Sequence, residues 1–129
     1  MAKRTAAQPT PAELAILNAL WEHGPSTVRD VWQRLGGERR TGYTTVLKLL
    51  QIMAAKGLVT RDDRRHSHVF AAARSEEQTQ RALVRDLLER AFGGSARKLI
   101  LRALDAHRVS PGELAEIRAL LDQLEGGAK

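Results

Sequence analysis

The spacing of apolar residues changes at Gly57, and that change limits what this chain can fold into. Before Gly57, apolar residues recur three or four apart in three successive segments, which is helical spacing. After it come Leu58-Val59-Thr60-Arg61 and His68-Val69-Phe70-Ala71, two short β-favouring runs flanking the charged stretch Asp62-Asp63-Arg64-Arg65-His66-Ser67. Beyond Arg74 the helical spacing returns and no β signal follows.

Local punctuation agrees with this division. Thr10-Pro11-Ala12-Glu13 is a capping box with proline at the first helical position, where its missing N–H is no loss. The helix it opens carries Leu14, Leu17 and Trp21 on one face, helped by Leu20, and stops at Gly24-Pro25. Ser26 or Thr27 opens a second helix bearing Val28, Val31, Trp32 and Leu35, and Gly36-Gly37 ends it. The third segment runs from Thr41 to Gly57 with Val46, Leu49, Leu50 and Met53 as its apolar stripe. Trp21 and Trp32 lie on apolar stripes and read as core rather than as platforms for stacked bases. Three helices followed by a hairpin, with tight turns between them, is the order of a winged helix-turn-helix domain. The predicted fold is therefore mainly α with a small β-hairpin wing. Its expected parts are a flexible arm at 1–9, a winged helix-turn-helix domain at 10–74 and a C-terminal helical dimerisation domain at 75–129.

Opposite its apolar stripe, the third segment shows Thr41, Thr44, Thr45 and Lys48, with Tyr43 beside them. Short hydroxyl side chains near a helix start, with a cation one turn on, suit a helix whose first turns enter a DNA major groove. An ordinary amphipathic surface helix capped by its own threonines would show the same pattern. Charge separates the two only weakly. The net charge is +6, and all of it falls in residues 1–74, with 12 basic against 6 acidic residues; residues 75–129 carry 9 of each. A basic segment joined to a neutral one fits a polyanion-binding module attached to an assembly module. The candidate DNA-binding residues are Tyr43, Thr44, Thr45 and Lys48, with Arg64 and Arg65 at the wing tip placed against a phosphate backbone.

The last 55 residues divide into three more helices, opened by Ser75, Ser95 and Ser110-Pro111, the first closing at Phe92-Gly93-Gly94. They are rich in leucine and poor in aromatic bulk, so they bury themselves badly alone. At ~1.5 to 3 kcal/mol per buried Leu or Ile side chain, a second copy of the chain is the favourable partner. The expected dimerisation residues are Leu83, Leu87, Phe92, Leu99, Ile100, Leu104, Leu114, Ile117, Leu121 and Leu124. Packing of these helices back onto the winged domain of one monomer is the alternative.

Other functions find little support. The chain has no cysteine, which excludes disulfides, thiolate metal sites and thiol nucleophiles. It has no glycine-rich phosphate loop, no nucleophile with a matched base and no paired carboxylates in an apolar setting, so no catalytic residue, cofactor or metal is assigned. His66 and His68 would share one face of a strand, but no third ligand stands near them. No apolar run approaches the ~18 residues that span a bilayer, and no signal-peptide core follows Lys3 and Arg4, so a cytoplasmic protein without membrane partners is expected. The rival from another class is a winged helix used as a protein-interaction adaptor.

Taken together, TPAELAILNALWEHGPSTVRDV, TGYTTVLKLLQIMAAKGLVTRDD, HVFAA, LLERAFGG and SPGELAEIRALLDQL resemble the penicillinase repressor family, the BlaI/MecI type that also includes copper-responsive repressors. The match runs from about Thr10 to Leu124, and Y-T-T-V followed by leucines and A-A-K-G-L-V is its most specific part. The resemblance implies a homodimeric transcriptional repressor on a palindromic double-stranded operator, controlling resistance or stress genes. Thr44, Thr45 and Lys48 match the family's DNA-facing positions, and Arg64 and Arg65 fall in its variable wing. In the lactam-sensing branch a membrane-bound sensor protease leads to cleavage at an Asn-Phe bond. The aligned pair here is Arg102-Ala103, a departure that removes the usual cleavage signal. The cysteine-rich tail of the copper branch is also missing.

Overall fold

The computed structural model describes residues 8–64 and 67–127. Its elements are α1 (Pro11–His23), β1 (Ser26–Thr27), α2 (Val28–Arg34), a 3-10 turn (Gly37–Arg39), α3 (Tyr43–Lys56), β2 (Val59–Asp62), β3 (Val69–Ala72), α4 (Glu76–Ala91), α5 (Ala96–Ala106) and α6 (Pro111–Gly127). Lys3, Arg4, Arg65 and His66 lie outside the described residues. The chain forms two compact units, one ending at Leu83 and the next beginning at Val84, so the division falls within α4.

Hydroxyl caps start five of the six helices. The Thr10 hydroxyl accepts from the Glu13 N–H at 3.2 Å while Glu13 Oε1 accepts from the Thr10 N–H at 2.9 Å. Thr27 and Asp30 repeat the exchange at the start of α2, and Ser75 and Gln78 do so at α4. Ser95 and Ser110 accept from the N–H groups of Lys98 and Glu113. Each cap satisfies a donor that the helix itself cannot, typically worth ~1 kcal/mol. At its other end α3 stops on Gly57 at φ 84°. There the Leu58 N–H reaches the Met53 carbonyl at 2.9 Å and the Gly57 N–H reaches Ala54 at 3.2 Å, a paired closure that needs the left-handed backbone only glycine takes up cheaply.

The core of the first unit joins Ile16, Leu17 and Leu20 of α1, Val28 and Val31 of α2, Val46, Leu50 and Met53 of α3, and Val59 and Phe70 of the sheet. The apolar stripe of α1 is shifted from its sequence position. Ile16 is fully buried, whereas Leu14 and Trp21 pack only partly against the core. The reason is that α1 lies against α2, α3 and β3 at once, so its buried arc is wider than a single stripe.

The sheet has three strands, not two. Its antiparallel order is β1-β3-β2, with Arg61 opposite Phe70 and Asp62 opposite Val69 in the hairpin. Ser26 and Thr27 add the third strand by pairing with Phe70 and Val69. Thr27 thus ends a strand and caps α2 in one residue.

Candidate nucleic-acid interface

Both ends of α3 are fixed to its neighbours. Ahead of it, Trp32 Nε1 donates to the Thr41 carbonyl at 2.9 Å, and the Tyr43 ring stands edge-on to the Trp32 ring at 5.8 Å between centroids. This places the first turn of α3 against α2. At the far end Lys56 Nζ reaches both carboxylate oxygens of Glu13, at 3.0 and 2.9 Å. Glu13 is only 2% exposed. Burial pushes its carboxyl up, but the Thr10 N–H and the Lys56 ammonium together hold it below the ordinary value. The pair also puts an anion at the start of α1 and a cation at the end of α3, the favourable sense for both helix dipoles. The sequence showed Glu13 only as part of a cap.

With its ends held and Val46, Leu50 and Met53 buried, α3 presents Tyr43, Thr44, Thr45 and Lys48 to solvent. The N-cap of α3 is Gly42, and no side chain caps it. The threonines are therefore not spent on capping, which was the ordinary explanation for them. An uncapped first turn leaves amide donors without a side-chain acceptor, the arrangement that receives phosphate oxygens elsewhere. Just before α3, exposed Arg39 and Arg40 add two cations that are not among the candidates drawn from the sequence. Neither they nor Lys48 form a salt bridge among the described residues, so three charges near the start of α3 are uncommitted.

The wing differs in this respect. Arg64 is chelated by Asp62, Nε to Oδ1 at 3.0 Å and Nη2 to Oδ2 at 2.9 Å, and this hydrogen bonding holds its pKa above the ordinary value. Arg61 Nε lies 2.8 Å from Asp63 Oδ1, and His68 Nδ1 lies 2.7 Å from the same oxygen. A wing that looks basic in sequence therefore carries much of its own counter-charge. Arg65 lies outside the described residues, so the wing tip is represented here by Arg64.

In the second unit α5 and α6 bury no residue. Leu87, Ile100, Leu104, Leu121 and Leu124 stand out into solvent, with Leu124 at 65% exposure, while Leu83, Phe92, Leu99, Leu114 and Ile117 are partly covered. Val84, Leu101 and Leu120 join the exposed set. Arg102 and Ala103 lie inside α5, where the Arg102 guanidinium pairs with Asp105 at 2.7 Å. A hydrogen-bonded helix is a poor protease substrate compared with an exposed loop. No helix among the described residues is long and apolar enough to cross a membrane.

Comparison with known proteins agrees with this geometry. Residues 9–123 match the penicillinase repressor family. The chain is 35% identical over 118 residues to the transcriptional regulator BlaI of Mycobacterium tuberculosis, covering 89% of this chain and 83% of that one. Among solved structures, the homodimeric winged helix-turn-helix DNA-binding domain of Mb0332 from Mycobacterium bovis is similar, at 24% identity and TM-score 0.50 over 70% of this chain and 79% of that one. The transcriptional regulator Tm0710 of Thermotoga maritima is similar at 20% identity and TM-score 0.51, over 97% and 84%. At these identities the two structures support the winged-helix fold.

Proposed function

The chain belongs to the penicillinase repressor family, and we propose that it works as a homodimeric DNA-binding repressor that covers a promoter and blocks transcription sterically. Residues 10–74 form the DNA-binding part and residues 75–129 the dimerisation part. Each protomer places α3 in the major groove of one half of a dyad operator and lays the β2–β3 wing along adjacent phosphates. The observation that carries this reading is the α3 face. Thr44, Thr45 and Lys48 are exposed on a helix held at both ends, its first turn is uncapped, and the Arg39 and Arg40 charges beside it are uncommitted. The exposed leucines of α5 and α6 support dimerisation through the second unit. With Arg102-Ala103 inside a helix and no Asn-Phe bond at that place, release by dimer disruption is favoured over cleavage following a sensor protease.

The test is a binding titration of the purified protein on duplex DNA from the region of its own gene, in a salt series, with mass measured in parallel. If Arg39, Arg40 and Lys48 of both protomers each neutralise a phosphate, the log–log salt slope is about −5. A protected dyad and a dimeric mass are the expected results. A monomer indifferent to duplex DNA at low salt overturns the reading and leaves a protein-interaction adaptor as the better account.

A further inference from the structure

The exposed face of α3 continues past Lys48. On a helix of 3.6 residues per turn, Thr44, Lys48 and Gln51 follow one line at spacings of four and three, and Ile52 follows Lys48 by four on its other side. Gln51 and Ile52 are both exposed, Ile52 at 41%. Among the described residues up to Leu83, Tyr43 and Ile52 are the only large apolar side chains standing out into solvent. Tyr43 is accounted for by its edge contact with Trp32. Ile52 takes no part in the core. It therefore places a branched hydrocarbon, beside a primary amide, on the face that carries the proposed DNA-contacting residues.

The geometry points to Gln51 and Ile52 as a specificity-determining pair that reads adenine and a thymine methyl group in the operator's major groove. This rests on α3 being the recognition helix. The side-chain amide of Gln offers one donor and one acceptor, which match adenine N7 and the adenine N6 amino group together. The Ile side chain has no hydrogen-bonding capacity, and the apolar feature a major groove offers it is the 5-methyl group of thymine. From Thr44 to Gln51 the helix rises about 10 Å, on the order of three base-pair steps, so this pair reads different bases from those beneath Thr44. Lys48, between them, can hold a phosphate or a guanine without competing for either. A regulator built this way divides its readout along α3, with hydroxyls at the start and an A·T-selective pair two turns on.

The test starts from the duplex sequence that the intact protein enriches from a random library. Each thymine of that duplex is then replaced singly by deoxyuridine, which removes the methyl group, and each adenine by 7-deazaadenine, which removes N7. Binding of every modified duplex is titrated with the wild-type protein, Gln51→Ala and Ile52→Ala. Both side chains are exposed, so the variants should fold, and unchanged tryptophan emission confirms it. The expected result is one thymine per half-site whose methyl loss weakens wild-type binding about 4-fold but leaves Ile52→Ala unaffected. At one nearby adenine, loss of N7 weakens the wild type about 5-fold or more and leaves Gln51→Ala unaffected. If both variants keep the full wild-type sensitivity at every position, the pair does not read those groups and the inference fails while DNA recognition stands. If no sequence is enriched, DNA recognition itself fails, and the inference with it.

Discussion

Replacing Lys56 by Met should weaken the acid-side pH dependence that Glu13 gives the stability of the first unit. The substitution keeps most of the side-chain volume and removes the ammonium that lies 3.0 and 2.9 Å from the two Glu13 oxygens. Stripping one partner from a fully buried pair typically costs ~3 to 5 kcal/mol. Here the Lys56 side chain is 30% exposed and Glu13 keeps its bond from the Thr10 N–H, so a loss of about 2 kcal/mol at neutral pH is expected. In the native chain the folded carboxyl sits below its ordinary value of 4.5. It therefore contributes stability above that value, and the contribution is lost as pH falls through the lowered folded value. Without Lys56 the lowering influence of the ammonium is gone while burial remains, so the folded carboxyl rises from its lowered value. The stability that the native carboxyl gives up on acidification is then smaller in the variant. Urea unfolding at a series of pH values from acid to neutral measures this directly, because Trp21 and Trp32, the two tryptophans of the chain, both lie in the first unit. A variant whose stability follows the same pH slope as the native chain would refute the coupling between Glu13 and Lys56.

Two further outcomes test the wing and the second unit. Asp62→Asn should release Arg64 from its chelate, raising affinity for any duplex and steepening the salt slope by about 0.9 per protomer; the gain should vanish in an Arg64→Ala background, and a gain that persists there would mean simple repulsion by Asp62 rather than a clamp. The double change Leu121→Glu with Leu124→Glu, at side chains 52% and 65% exposed, should shift the sedimenting mass from dimer to monomer while leaving tryptophan emission unchanged. An unshifted mass would place the dimer contact elsewhere.

The starts of five helices were readable from the sequence because capping chemistry is local; α3 is the exception, beginning at Tyr43 behind an uncapped Gly42 rather than at Thr41. Thr10 and Glu13 meet within a single turn, as do Thr27 and Asp30, and Gly57 stops α3 through its own backbone. The buried stripe of α3 was readable for a similar reason, since Val46, Leu50 and Met53 face a single core and obey one period. Residues that meet through space were not. Ser26 and Thr27 are too short a run to show a strand period, and they become one only because β3, more than forty residues on, offers them its open edge. Glu13 finds Lys56 at a separation of 43 residues. The wing looked basic because composition counts charges without their partners, whereas in the folded hairpin Arg61 meets Asp63 and Arg64 meets Asp62, each two residues away, and His68 comes to Asp63 from the opposite strand side. Gln51 and Ile52 stand outside the hydroxyl pattern that drew attention to Thr44 and Thr45, and only their exposure on a helix fixed at both ends brings them to the same face. The sequence alone determined which segments are helical and where they stop, because those choices are made within a turn or two of chain. The tertiary structure decided which charges are free and which apolar side chains remain uncovered, because both depend on neighbours that the chain reaches only after it has folded.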